Sequence, residues 1–155
     1  MMTLSENPGA LKKFRRTPWK FQQTFHTPLK NLQAFVVTIV TSGEPLKSGC
    51  LTIEQVVFDP EHLIALLTSN AIPPRCERGV SLTATGQGEI EALLCAVLGD
   101  WMDFIFVPEP KSFAIYADHD EYTSFYSHTR SNLNRVTQAL QSKGFQEVPG
   151  YERQL

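Results

Sequence analysis

Patterned cysteine is missing from this 155-residue chain. Cys50, Cys76 and Cys95 are an odd number at wide spacings, with no C-x-x-C pair. That argues against a disulfide framework and against a zinc knuckle, and predicts reduced thiols in a cytoplasmic protein. Long apolar runs are also missing. The first apolar stretch, Ala34–Val40, begins too late for a secretory signal, and it falls well short of the roughly 18 residues that would mark a membrane span. Nor is there a large charge of one sign: the formal net charge is -2, which excludes a wholesale polyanion binder of the histone type. No G-x-S-x-G, P-loop or H-E-x-x-H occurs. Gly86-x-Gly88 lacks the third glycine of a dinucleotide fingerprint, and Glu89 and Glu91 behind it would repel phosphate. No cofactor is expected.

What is present is enough apolar residue, 42%, for one folded domain without a metal or cross-link. Charge is spread unevenly. Residues 1–30 carry Lys12, Lys13, Arg15, Arg16, Lys20 and Lys30 against Glu6 alone, a surplus of +5, and the remainder stands at -7. Phe14, Trp19, Phe21 and Phe25 interleave with the cations. Four large aromatics in so short a stretch are costly to leave in water, so the segment is expected to lie across the acidic body with its cations outward. Pro8, Pro18 and Pro28 rule out one continuous helix through it. The segment reads as a basic, aromatic N-terminal arm (1–30) before a single domain (31–155).

Along the domain, Gln33–Thr41 is a continuous β-branched run closed by Ser42-Gly43-Glu44-Pro45, and predicts a buried strand. Leu46–Phe58 fits no period cleanly and is assigned to a returning strand. Asp59-Pro60-Glu61 opens a helix, with Asp59 as cap, that runs to Asn70. Val80–Ala84 alternates as a half-buried strand. Ile90, Leu93, Leu94, Val97, Leu98 and Trp101 form an amphipathic helical stripe. Met102–Val107 and Ser112–Ala117 flank Pro108-Glu109-Pro110-Lys111 as an antiparallel hairpin. Tyr122–Ser127 is a further extended segment. Ser131–Lys143 is a helix closed by Gly144 and Phe145, and a short strand over 145–148 follows. The fold class is therefore α+β: a mostly antiparallel sheet with about three helices packed on one face.

The densest polar group is Asp118, His119, Asp120, Glu121 and Tyr122, with Tyr126, His128 and Arg130 close behind. These eight are the candidate binding residues. The pattern fits an acidic, tyrosine-bearing surface that recognises another macromolecule, most simply a protein. Tyrosine offers large contact area for few frozen torsions, and acidic patches steer basic partners. An immunity- or antitoxin-like inhibitor has this character. Two alternatives carry different chemistry. His119, Glu121 and His128 could hold a metal for hydrolysis if they converge within about 2.2 Å of one ion. The nearby hydroxyls at 123, 124, 127, 129 and 131 would then be candidate nucleophiles, although a turn and a helix cap explain them more simply. The other alternative uses Lys12, Lys13, Arg15, Arg16 and Lys20 to bind nucleic acid, cations on phosphates and rings on bases. His26 and His62 read as packing or solvated residues.

Overall fold

The computed structural model describes residues 1–155. Seven strands form one sheet: β1 (Thr3–Glu6), β2 (Phe21–His26), β3 (Ser48–Gln55), β4 (Val80–Thr85), β5 (Asp103–Glu109), β6 (Ala114–Ala117) and β7 (Tyr122–Ser127). Their order is β1-β4-β3-β5-β6-β7-β2, and every neighbouring pair is antiparallel. Five helices accompany it: α1 (Ala10–Arg16), α2 (Leu32–Thr41), α3 (Glu61–Ser69), α4 (Gly86–Gly99) and α5 (Arg130–Ser142). The α+β class stands, with five helices where about three were expected.

The helices do not share one face. Strand alternation on β5 sends Phe104 and Phe106 into the main core with residues of α2, α3, α4 and α5. Ile105, between them, points to the other face and packs with Ala10 and Phe14 of α1, Ala114 and Tyr126. Gly49 on β3 leaves room for the Phe106 ring, since a Cβ there would collide with it. One face of the sheet is therefore roofed by four helices. The other, the open face, carries one short helix.

Residues 1–30 are not an appendage on a finished domain, as their composition suggested. They supply β1 and β2, the two opposite edges of the sheet, and α1 crosses the open face between them. Chain geometry dictates this path. Six interstrand gaps of about 4.8 Å put the edges roughly 29 Å apart. The short connection, part of it coiled into α1, has little more reach than that, so it must cross almost directly. The expected disposition of its side chains holds: Phe14 is buried, while Lys12, Lys13, Arg15, Arg16 and Lys20 are exposed.

The segment 33–41 is helix, not strand. Phe35, Val36, Ile39 and Val40 are buried together on one helical side, and α2 packs against α4 and α5. Thr38 Oγ1 donates to the Ala34 carbonyl at 2.7 Å and Thr41 Oγ1 to that of Val37 at 2.7 Å, so the hydroxyls are satisfied inside the helix. A short apolar run cannot by itself separate a buried helix from a buried strand. The cap of α3 also differs. Asp59 makes no capping bond. The Asp100 carboxylate, from the turn after α4, accepts from the amides of His62 at 3.0 Å and Leu63 at 2.8 Å.

The C-terminal end of α5 follows expectation. Gly144 adopts φ +87, its amide reaches the Gln141 carbonyl, and the Phe145 amide reaches that of Leu140 at 3.1 Å. The stretch 145–148 forms only an isolated bridge to β2, Phe25 to Glu147, in place of a full strand. Two backbone bonds, His26 to Gln146 and Val148 to Thr24, hold it along that edge. From there the chain turns onto the open face.

Candidate functional site

The open face is written by the outward residues of each strand. Thr83 and Ser81 face out from β4, and Cys50, Thr52 and Glu54 from β3. Asp103, Ile105 and Val107 follow from β5, Tyr116 from β6, Ser124 and Tyr126 from β7, and Gln22 and Thr24 from β2. Many of these groups bond one another across strands: Thr52 to Ser81 at 2.8 Å and Thr24 to Ser124 at 2.7 Å. Beneath α1 runs a groove of about 420 Å³, lined among others by Lys13, Thr17, Trp19, Cys50, Thr52 and Thr83. A second recess of about 410 Å³ lies along β2, with Trp19, Gln22, Tyr126 and Tyr151 in its wall. Two buried polar atoms make no well-formed hydrogen bond, Trp19 Nε1 and Tyr126 Oη, the second with the Arg153 guanidinium nearby, and both residues line these hollows.

The eight residues singled out from sequence fall in three places. Asp118, His119, Asp120, Glu121 and Tyr122 make the turn between β6 and β7. Tyr126 is buried under α1, edge-on to Phe14 at 5.0 Å between ring centres. His128 and Arg130 lie beyond the far end of β7. His128 stacks on Trp19 at 4.5 Å, and the Arg130 guanidinium sits 4.5 Å over the Phe21 ring. His119 and His128 therefore stand at opposite ends of a six-residue strand, which separates the suggested ligand set His119, Glu121 and His128. No group of three or more His, Cys, Asp or Glu side chains is placed to hold a metal ion. Four of the five hydroxyls are engaged elsewhere: Thr123 with Thr27 at 2.6 Å, Ser124 with Thr24 at 2.7 Å, Ser127 with the Ser112 carbonyl at 2.9 Å, and Thr129 as the cap of α5; Ser131 is exposed in the first turn of that helix.

Within the turn, local chemistry fixes the backbone. Asp118 Oδ1 accepts from the amides of Asp120 at 2.9 Å and Tyr122 at 3.2 Å. Glu121 takes the left-handed position, φ +70, that such a hairpin loop requires. His119 is held from β5: its amide and its Nδ1 both meet Asp103 Oδ1, at 2.9 and 2.8 Å. That bond raises the His119 pKa above 6.5. Asp120 and Glu121 project into solvent, while Tyr122 is half-buried against His26 and Tyr151.

Residues not singled out from sequence complete the site. Glu54 and Asp103 face outward on neighbouring strands. Burial pushes the Glu54 carboxyl up, with Asp103 adding to the shift and the Arg78 and Arg15 guanidiniums opposing it. The Tyr116 phenol is raised by burial first, then by Asp103, Glu54 and Asp118, with Arg153 opposing. These groups thus converge at one acidic, tyrosine-bearing end of the open face. Arg153 lies at its centre: Nη1 donates to Asp118 Oδ2 at 2.6 Å and Nε to Ser124 Oγ at 3.0 Å. Its guanidinium lies 4.8 Å from the centre of the Tyr116 ring. Nothing local marks Arg153 in the sequence, because every partner is distant along the chain. Of the groups that hold it, Asp118 and Tyr122 belong to the cluster legible in the sequence and Gln22 does not.

Comparison of the chain with protein-family models, with curated proteins and with solved structures finds no match.

Proposed function

We propose that this chain is a non-enzymatic interaction domain that recognises another protein through the acidic, tyrosine-bearing end of its open sheet face. The observation that carries this reading is the one-sided roofing of the sheet. Four helices seal the apolar face. The opposite face is spanned by one short helix and keeps carboxylates, tyrosines and hollows beside it. A face built only for stability would bury aliphatic side chains and leave no buried polar atom unbonded. The carboxylates Asp103, Glu54 and Asp118 and the turn residues Asp120 and Glu121 favour a basic partner surface, and Tyr116 and Tyr122 offer broad, stiff contacts.

The test is site-directed photocrosslinking in the native cell. A photoreactive residue replaces Tyr122 on the open face in one variant and Gln141 on α5 in the other. The expected result is one identified protein crosslinked from position 122 and not from 141. Asp120→Lys with Glu121→Lys should weaken its binding roughly ten-fold or more through like-charge repulsion. Crosslinks of equal yield from both positions would sink the assignment of this face.

A second reading has its own observation. Lys12, Lys13, Arg15, Arg16 and Lys20 are exposed and none forms a salt bridge, with the stacked Trp19–His128 pair next to them. This ridge would hold single-stranded nucleic acid by phosphate contacts and stacking. Such binding must fall steeply with added salt. Binding that is absent, or flat with salt, removes this reading.

A further inference from the structure

Residues 151–155 have no regular secondary structure, yet 151–154 follow an alternating pattern of burial on the open face. Tyr151 and Arg153 turn inward while Glu152 and Gln154 face solvent. That is the period of an extended strand laid on a surface. The segment is not held there by sheet pairing. The side-chain amide of Gln22 grips the main chain at Arg153 from both sides, accepting from its amide at 2.8 Å and donating to its carbonyl at 3.4 Å. A side-chain amide used in this way reads a peptide unit whatever residue it belongs to.

The Arg153 side chain is then received by a socket. It meets Asp118 at 2.6 Å, Ser124 Oγ at 3.0 Å and the Tyr122 carbonyl at 3.4 Å. Its guanidinium carbon lies over the Tyr116 ring, 4.8 Å from the centre, and 5.7 Å from the centre of the Tyr151 ring. The Arg153 side chain is 7% exposed and that of Asp118 11%. Such a fork of donors set against aromatic rings is a geometry that arginine fits and lysine does not. The socket groups belong to the rigid strands β2, β6 and β7 and the turn between the last two. The segment they hold is irregular and places no large apolar residue in the core.

We infer that the open face is a recognition site for an extended, arginine-bearing segment of a partner protein, with an aromatic residue two positions before the arginine, and that residues 151–153 of this chain occupy that site in cis. This rests on the reading of the open face as the interaction surface and names what that surface takes. The partner's arginine would replace Arg153 against Asp118, its aromatic residue would replace Tyr151 over Tyr122, and Gln22 would hold its main chain. The resident segment acts as a tethered competitor. Tethering raises its local concentration to the millimolar range, so an outside segment must bind better than this one or arrive in excess.

The experiment uses the full chain and a fluorescein-labelled peptide of residues 148–155 read by fluorescence anisotropy. Arg153→Ala empties the socket and should bind the peptide about ten-fold or more tightly than the unsubstituted chain, because the competitor is gone. Adding Asp118→Asn to that variant should abolish binding, as should alanine in place of the peptide's arginine. A lysine peptide should bind markedly more weakly than the arginine peptide. Arg153→Lys serves as a second variant that keeps the charge, and it should give an affinity between the other two chains. Circular dichroism and thermal melting check that each chain folds. The inference is overturned if folded Arg153→Ala or Arg153→Lys chains bind the peptide no better than the unsubstituted one, or if Asp118→Asn makes no difference. Concentration-dependent dimers of the unsubstituted chain that vanish with Arg153→Ala would overturn it in favour of exchange between copies. A negative peptide result alongside crosslinks confined to position 122 would overturn the socket and leave the interaction face standing.

Discussion

The two faces of the sheet are made from the same strands and hold opposite chemistry. Along β5, Phe104 and Phe106 enter a core with Phe25, Phe35 and Phe125, all fully buried. The residues between and beside them, Asp103, Ile105 and Val107, belong to a face of carboxylates, tyrosines and small hydroxyls. The helix-covered face leaves no buried side-chain polar atom unbonded, whereas both unpartnered atoms, Trp19 Nε1 and Tyr126 Oη, sit on the open one. An unsatisfied buried polar group costs about 1–3 kcal/mol. The open face therefore carries a cost that the helical face compensates. The division teaches where to look for function: stability is made on one side of each strand, which frees the other side to hold groups that stability alone would remove.

The largest effects should separate the two faces at adjacent positions. Phe104→Ala opens a cavity in the main core and should cost about 3–5 kcal/mol. Ile105→Ala touches only the small cluster under α1 and should cost about 2 kcal/mol, the low end for truncating a buried aliphatic residue, because α1 can settle toward the sheet. Urea unfolding of the two variants measures both. Equal losses would mean that α1 is packed as firmly as the helical layer, and the contrast between the faces would fail.

The contrast is partly legible in the amino-acid sequence. Alternation places β4 and the β5–β6 hairpin, and helical periodicity places α4 and α5, because those signals are local. The strand expected over 33–41 shows the limit. Phe35, Val36, Ile39 and Val40 keep helical spacing, but the run is apolar enough to read either way, and packing against α4 and α5 decides it. The arm at 1–30 shows a second limit. Its aromatics correctly imply burial against the body, yet pairing of β1 with β4 and β2 with β7 is non-local and leaves no signature in either segment. The acidic turn is legible as a cluster of residue types. That Asp118 serves Arg153 and that His119 serves Asp103 depends on which strands lie side by side.

A smaller effect concerns charge on the open face. The bond from Asp103 raises the His119 pKa above 6.5. A group whose folded pKa is raised adds stability below its unfolded value and loses it as pH rises through its folded one. Stability from His119 should therefore be complete below about pH 6.5 and fade above it. Glu54, raised by burial from 4.5, works in the same sense at lower pH, since ionising it inside the face is unfavourable. Asp103→Asn should return His119 toward 6.5 in an NMR titration of its ring proton and flatten the fall in melting temperature over that range. A His119 pKa that ignores the substitution would show that the bond does not set it. The helical layer holds a carboxylate–histidine pair of its own, Asp100 with His62 Nδ1 at 2.7 Å, so it is the Asp103→Asn variant that isolates the part of the pH dependence belonging to the open face.

The smallest effect is the most discriminating. Tyr126 is 4% exposed and its hydroxyl makes no well-formed hydrogen bond; burial drives its phenol well above the ordinary value, and the nearby Arg153 guanidinium only partly opposes the shift. Tyr126→Phe removes the unbonded oxygen and keeps the ring against Phe14 and Trp19. Removing a buried hydrogen bond costs about 1 kcal/mol, whereas removing an unsatisfied hydroxyl should leave stability unchanged or slightly improved. The same substitution in the crosslinking strain then asks what the hydroxyl is for. Unchanged melting with reduced partner capture makes it a recognition group that pairs only in the complex. Unchanged melting with unchanged capture makes Tyr126 a packing residue of the α1 cluster and confines recognition to the Asp118 end. A loss near 1 kcal/mol, about the worth of one buried hydrogen bond, would mean that the hydroxyl is already satisfied in the free protein. The open face would then differ from the helical face in composition but not in how completely its polar groups are met.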